Sequence, residues 1–145
     1  MIAFLQRVSR SAVEVDKQPV ARIDRGLLVL VGVHRDDQPM DVARLAERIL
    51  GYRVFPDAEG RMNLSIRDIA GGLLLVPQFT LAADTQKGTR PSFSRAAEPE
   101  KASSYFDRLA ERCRAELPVV ETGQFGADLQ VELVNDGPVS FWLES

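Results

Sequence analysis

Hydrophobic and polar residues alternate along this chain in two periods, and together they predict a mixed α/β domain. Residues 73–76 (LLLV) are apolar at every position and follow Gly71-Gly72. Too short for a helix, the run predicts a strand buried on both faces. Residues 27–33 (LLVLVGV) predict a second such strand after a turn at Arg25-Gly26. Alternating or apolar runs at 2–8 and 11–16 predict two strands near the start, with 16–18 turning into 19–24. Three more strands are expected at 119–122, 129–134 and 139–143, the last two separated by a turn at 135–138 (NDGP).

Helical spacing appears twice. After Pro39, the residues Val42, Leu45, Ala46, Ile49 and Leu50 recur at i, i+3, i+4, i+7, i+8, and Gly51 marks the end. From about Pro99, one face carries Ala102, Tyr105, Phe106, Leu109, Cys113 and Leu117, and Pro118 stops it. Residues 52–55 read as extended, 56–60 (PDAEG) as a turn, and 62–65 (MNLS) as a lead into the buried strand. The expected architecture is α/β: one domain with a layered mixed sheet and two main helices.

Composition narrows the function. With 145 residues, 45% hydrophobic and 27% charged, the chain is an ordinary soluble domain able to bury its own core. No run approaches the roughly 18 apolar residues of a membrane span, and the start has no signal-peptide pattern. A single cysteine, Cys113, rules out an internal disulfide and suits a reducing cytoplasm. A net charge of −3 argues against coating a long nucleic-acid backbone, so DNA is not an expected partner, and with no apolar span neither is a membrane. A short single-stranded end remains compatible.

Several chemistries lack their residues. The only histidine, His34, follows a buried strand and reads as a loop residue, with no partnered nucleophile nearby in sequence. Cys113 lies on an apolar helix face and reads as core. One histidine and one cysteine make no zinc set, and Gly71-Gly72 is followed by no phosphate-loop lysine; no metal or cofactor is expected. Three features remain. At the end of the buried strand, Pro77 lacks a backbone donor and belongs at a strand end. Gln78 and Thr80 then offer polar groups beside a turn whose N–H groups suit an oxyanion. The loop 84–95 carries Lys87, Arg90 and Arg95, either as a phosphate contact or as a solvated surface. The third is Gly137-Pro138 between two strands.

The order of these motifs resembles one family over essentially the full length, the D-aminoacyl-tRNA deacylases (D-tyrosyl-tRNA deacylases). The resemblance rests on MIAFLQRVSR at 1–10, GLLVLVG at 26–32, LAERILGYR at 45–53, MNLS at 62–65, QFTL at 78–81, DTQKGTRPSF at 84–93 and the stretch 123–145. It implies a cytoplasmic homodimer that hydrolyses the ester between a D-amino acid and the 3′-terminal adenosine of tRNA, with glycine mischarged on tRNA as a further substrate. Gln78, Phe79 and Thr80 match the family's reaction pocket. Gly137 and Pro138 match a cis Gly-Pro segment that each protomer inserts into its partner's pocket as a chiral filter. Its carbonyls engage the substrate amino group and exclude an L side chain. Arg7 matches an arginine that holds this segment. The 2′-hydroxyl of the terminal ribose is thought to take part, so the site needs no histidine, cysteine or metal.

The chain departs from the family motifs SQFTL and NxGPVT at three places. Pro77 replaces serine, Ser140 replaces threonine, and Ala83 stands where tyrosine is frequent. A Pro-Gln pair also marks related animal deacylases that remove L-alanine, whereas Arg7 belongs to the D-specific pattern. The alternatives to a D-specific esterase are therefore a deacylase with relaxed tolerance and a binder of tRNA 3′ ends without turnover.

Overall fold

The computed structural model describes residues 1–145. It opens on β1 (Ile2–Val15), one strand of 14 residues where two were expected. Pairing with another strand carries it through the exposed Ser9 and Arg10, where the register shifts. Asp16 and Lys17, at φ of 49° and 62°, form the turn into β2 (Gln18–Ile23). Positive φ at both central residues gives the twist that a tight hairpin requires. β3 (Gly26–Gly32) then runs antiparallel to the first half of β1.

α1 (Pro39–Gly51) follows, with Val42, Leu45, Ala46, Ile49 and Leu50 buried as the spacing predicts. The Asp41 carboxylate accepts from the Gln38 N–H at 2.7 Å and caps its first turn. Next come β4 (Phe55–Pro56) and β5 (Met62–Leu64), a two-stranded ribbon, and α2 (Ile66–Ile69). This four-residue helix is absent from the sequence expectation. Its signal is Ser65-x-x-Asp68: the Ser65 N–H donates to Asp68 Oδ2 at 2.7 Å, and the Asp68 N–H to Ser65 Oγ at 3.3 Å.

β6 (Gly72–Pro77) is the buried strand, parallel to β3. α3 (Pro99–Arg114) crosses over to β7 (Val120–Thr122), which is parallel to β6. Finally β8 (Gln130–Glu144) pairs along the other edge of β1. The order is β2-β1-β3-β6-β7 with β8 on β1. Both long helices pack on one face of the sheet, over Leu5, Leu27, Val29, Leu73 and Leu75. The sheet curls so that Val8, Val13, Ile23, Leu28, Leu74 and Val76 fill a second core on its other face. No helix is long and apolar enough to cross a membrane.

The α/β expectation thus holds with three helices instead of two. The two strands expected at 129–134 and 139–143 are one strand, and 136–139 is an excursion within it. Cys113 is buried in α3, and burial pushes its thiol up to about 12.

Candidate active site

Parallel pairing fixes where β6 ends. Its odd-numbered residues bond towards β7: the Leu73 N–H reaches the Val119 carbonyl at 3.0 Å, and the Leu75 carbonyl accepts from Gly123 at 2.8 Å. The next donor in that series falls at Pro77, which has none, and the β6–β7 ladder stops at the Leu75–Thr122 pair. The Gln78 N–H turns the other way and donates to the Val31 carbonyl of β3 at 2.8 Å. Proline therefore ends the strand on one side while glutamine holds it on the other.

Residues Phe79–Ala82 form a 3₁₀ turn directly after this point. The Leu81 N–H closes it on the Gln78 carbonyl at 3.3 Å. The Phe79 and Thr80 N–H groups occupy its first positions and have no partner within it. The turn packs against Gly32 at the end of β3: a Cβ there would lie 3.0 Å from Leu81 Cβ and 3.3 Å from the Gln78 carbonyl oxygen. Gln78 Nε2 donates to Thr80 Oγ1 at 2.5 Å. A hydroxyl that accepts from an amide keeps its own proton free to donate outward. Phe79 is 55% exposed.

Two depressions flank the turn. One of about 350 Å³ is lined by Pro77, Gln78, Phe79 and the 124–129 loop, including Phe125. The other, also about 350 Å³, lies between Thr80, Ala83, His34, Arg95, Trp142 and Glu144. His34 thus shares a depression with Thr80, which its sequence position did not show, but no hydrogen bond joins them. The loop 84–95 is pinned at its base, with Asp84 and Ser92 exchanging N–H···O bonds of 2.8 and 3.0 Å. Phe93 packs at a tilt against Phe79, with ring centroids 5.0 Å apart, and Lys87 and Arg90 of the loop lie exposed. Phe125 and Trp142 went unnoticed in sequence because isolated aromatics near strand ends resemble core residues.

Gly137-Pro138 stands elsewhere. Between the pairs Gln6–Ser140 and Val8–Asn135, β1 skips one residue and β8 skips four, so 136–139 leave the ladder as a loop. The Gly137-Pro138 bond is cis, as the resemblance implies, and Gly137 has φ of 150°. A Cβ on Gly137 would meet Val139 Cγ2 at 2.6 Å and the Val139 nitrogen at 2.8 Å. Arg7, the residue β1 skips, donates from Nε to the Asp136 carbonyl at 2.8 Å and from Nη1 to the Val54 carbonyl at 2.5 Å. Its guanidinium ties the loop to the floor of the fold.

The structure gathers Pro77, Gln78, Phe79 and Thr80 in one place, and Arg7, Gly137 and Pro138 in another. Arg7 pairs with Leu27 near the start of β3, whereas Gln78 bonds to Val31 near its end. Four residues of strand, roughly 13 Å, separate these levels. Neither depression beside the turn includes Gly137 or Pro138 of the same chain.

Known proteins resemble this chain over its whole length in sequence and in structure. A D-aminoacyl-tRNA deacylase of Alkalilimnicola ehrlichii is 61% identical over 145 residues, covering 100% of this chain and 97% of that protein. One from Escherichia coli is 54% identical over 144 residues, 99% of each. The solved structure of a c-Myc DNA unwinding element binding protein matches with a TM-score of 0.96 at 36% identity, over 100% of this chain and 99% of the other. A probable eukaryotic D-amino acid tRNA deacylase matches in fold, with a TM-score of 0.82 at 18% identity over 99% and 98%. The sequence profile of the D-Tyr-tRNA(Tyr) deacylase family covers residues 4–144, and the chain belongs to that family.

Proposed function

We infer that this protein hydrolyses D-aminoacyl-tRNA, releasing the free D-amino acid and tRNA, and that glycine mischarged on tRNA is a further substrate. The terminal adenosine fits the depression of Pro77, Phe79 and Phe125, where exposed rings offer a stacking surface. This sets the ester carbonyl over the Phe79 and Thr80 N–H groups, with the Thr80 hydroxyl, oriented by Gln78, as a third donor to the developing oxyanion. Water adds to the carbonyl carbon with help from the ribose 2′-hydroxyl. The ester C–O bond then breaks, and the 3′-oxygen leaves with a proton. Thr80 is a hydrogen-bond donor here and no nucleophile, because its oxygen already accepts from an amide and no base takes its proton.

The observation that carries the dimeric reading is the distance between the two motifs. Within one chain the loop at Gly137-Pro138 lies about 13 Å along the sheet from the turn at 78–80, which supports its supply by a partner protomer. The depression between Thr80, Ala83 and Trp142 offers room for it. The second edge of β8, 15 residues long and unpaired, supports association with another copy. The partner's Gly137 and Pro138 carbonyls accept from the substrate ammonium and occupy the space an L side chain needs. Glycine has no side chain and passes. Charged tRNA as substrate supports a cytoplasmic location.

The test is deacylation of D-tyrosyl-, L-tyrosyl-, glycyl- and L-alanyl-tRNA by the purified protein, with its mass in solution measured alongside. Loss of the D and glycyl esters by a dimer is expected. Tight binding with no turnover of the D ester would sink the esterase reading. L-alanyl turnover matching the D rate would assign a relaxed specificity to Pro77 and Ala83.

A further inference from the structure

The loop at 136–139 is closed at its neck by a single side chain. With four residues out of the ladder, its two feet need something other than strand pairing to hold them together. Asn135 provides it. Its Oδ1 accepts from the Val139 N–H at 2.7 Å. Its Nδ2 donates to the Ser140 hydroxyl at 2.9 Å, with the Val139 carbonyl at 3.4 Å. Using both ends of the amide fixes its orientation, since the reversed group would set N–H against N–H.

Arg7 holds the opposite foot through the Asp136 carbonyl. Once that carbonyl and the Val139 N–H are engaged, the acceptors left free are the carbonyls of Gly137 and Pro138, which have no partner on β1. We propose that Asn135 is a positioning residue for chiral selection: through Val139 and Ser140 it sets where those two carbonyls stand. This rests on the function inferred above. A loosened neck lets the carbonyls retreat from the space that an L side chain must be denied. The D side chain points away from the loop and loses less. The ratio of L to D turnover is therefore the sensitive quantity, more than the D rate itself.

Asn135→Ala removes all three bonds. Asn135→Asp keeps an acceptor for Val139, and its second oxygen accepts from the Ser140 hydroxyl, so it restores the neck. Deacylation of D- and L-tyrosyl-tRNA is measured for each dimer, with hydrogen exchange of the Val139 amide followed by NMR. The Ala variant is expected to raise the L/D ratio at least about tenfold and to speed Val139 exchange, and the Asp variant to stay near wild type in both. An unchanged ratio in the Ala variant, or an Asp variant that loses discrimination as the Ala variant does, overturns the proposal. If the wild type hydrolyses no D ester, the functional inference fails. Val139 exchange then decides on Asn135 alone, and unchanged protection in the Ala variant overturns its role. Should that variant not fold, Ser140→Ala removes only the nearer of the two Nδ2 acceptors: a rise of about threefold in the ratio supports the proposal, and no rise overturns it.

Discussion

Thr80 and Gln78 are two residues apart, and their 2.5 Å bond decides the chemistry of both. The amide proton on the hydroxyl oxygen leaves Thr80 a donor. Thr80→Val is therefore expected to lower kcat about a hundredfold, the usual effect of losing one oxyanion donor, with little change in KM. Rapid quenching should trap no acyl-enzyme in the wild type; a trapped ester on Thr80 would reverse the assignment. His34→Ala should lower the D rate less than about threefold, since no hydrogen bond ties His34 to the turn. Cys113 behaves differently again: with its thiol pushed up to about 12 by burial, it should resist iodoacetamide at pH 8 and react only when the chain is unfolded. Residue by residue, Gln78, Thr80, Gly137 and Pro138 stand out in the sequence because polar or turn-forming types sit where apolar runs stop, whereas the roles proposed for them come from the family resemblance. Asn135 was not, since asparagine in a turn reads as a turn former whatever its side chain does.

Short elements depend on their caps, and α2 depends on one box. Ser65→Ala removes a capping hydroxyl and should cost about 1 kcal/mol, seen as a fall in Tm of about 2–4 °C. Hydrogen bonds from the Ser65 backbone hold the Asp68 carboxyl below its usual value of 3.8, and the Gln38 N–H does the same for Asp41. A carboxyl depressed on folding contributes stability above its unfolded pKa and loses that contribution as pH falls through the folded value. Stability should thus decline below about pH 4 in part through these two caps, and Asp68→Asn should flatten that decline in acid melts. If it melts in acid as the wild type does, Asp68 carries none of it. The two long helices and the buried strands were legible because their periodicity spans several turns or a full run. The long strands β1 and β8 each looked like two, because polar interruptions at Ser9-Arg10 and at 135–138 mimic strand ends. What keeps the chain extended there is pairing between residues over a hundred positions apart, which no local window contains.

At the scale of the whole molecule, the two motifs lie at different levels of the sheet, the loop beside Arg7 near the start of β3 and the turn beside Val31 near its end. In the isologous dimer proposed above, the loop of one chain would reach the turn of the other, and the reverse contact would follow from the same operation. Such a dimer would hold two sites, each with its turn from one chain and its Gly137-Pro138 from the other. A mixing experiment separates this from a site made within one chain. Thr80→Val disables the turn and leaves the loop intact. Gly137→Val leaves the turn intact and disables the loop, because any Cβ at φ of 150° strikes Val139. Each homodimer should be nearly inactive on D-tyrosyl-tRNA. After dissociation and reassociation of an equal mixture, half the dimers are mixed. Each of these pairs the sound turn of one chain with the sound loop of the other in one of its two sites. About a quarter of wild-type activity should return. Sites built within single chains would return none, since every chain in the mixture carries a defect. Recovery near a quarter would therefore establish both the exchange of loops and the homodimer, while its absence in a confirmed mixed dimer would refute the shared site.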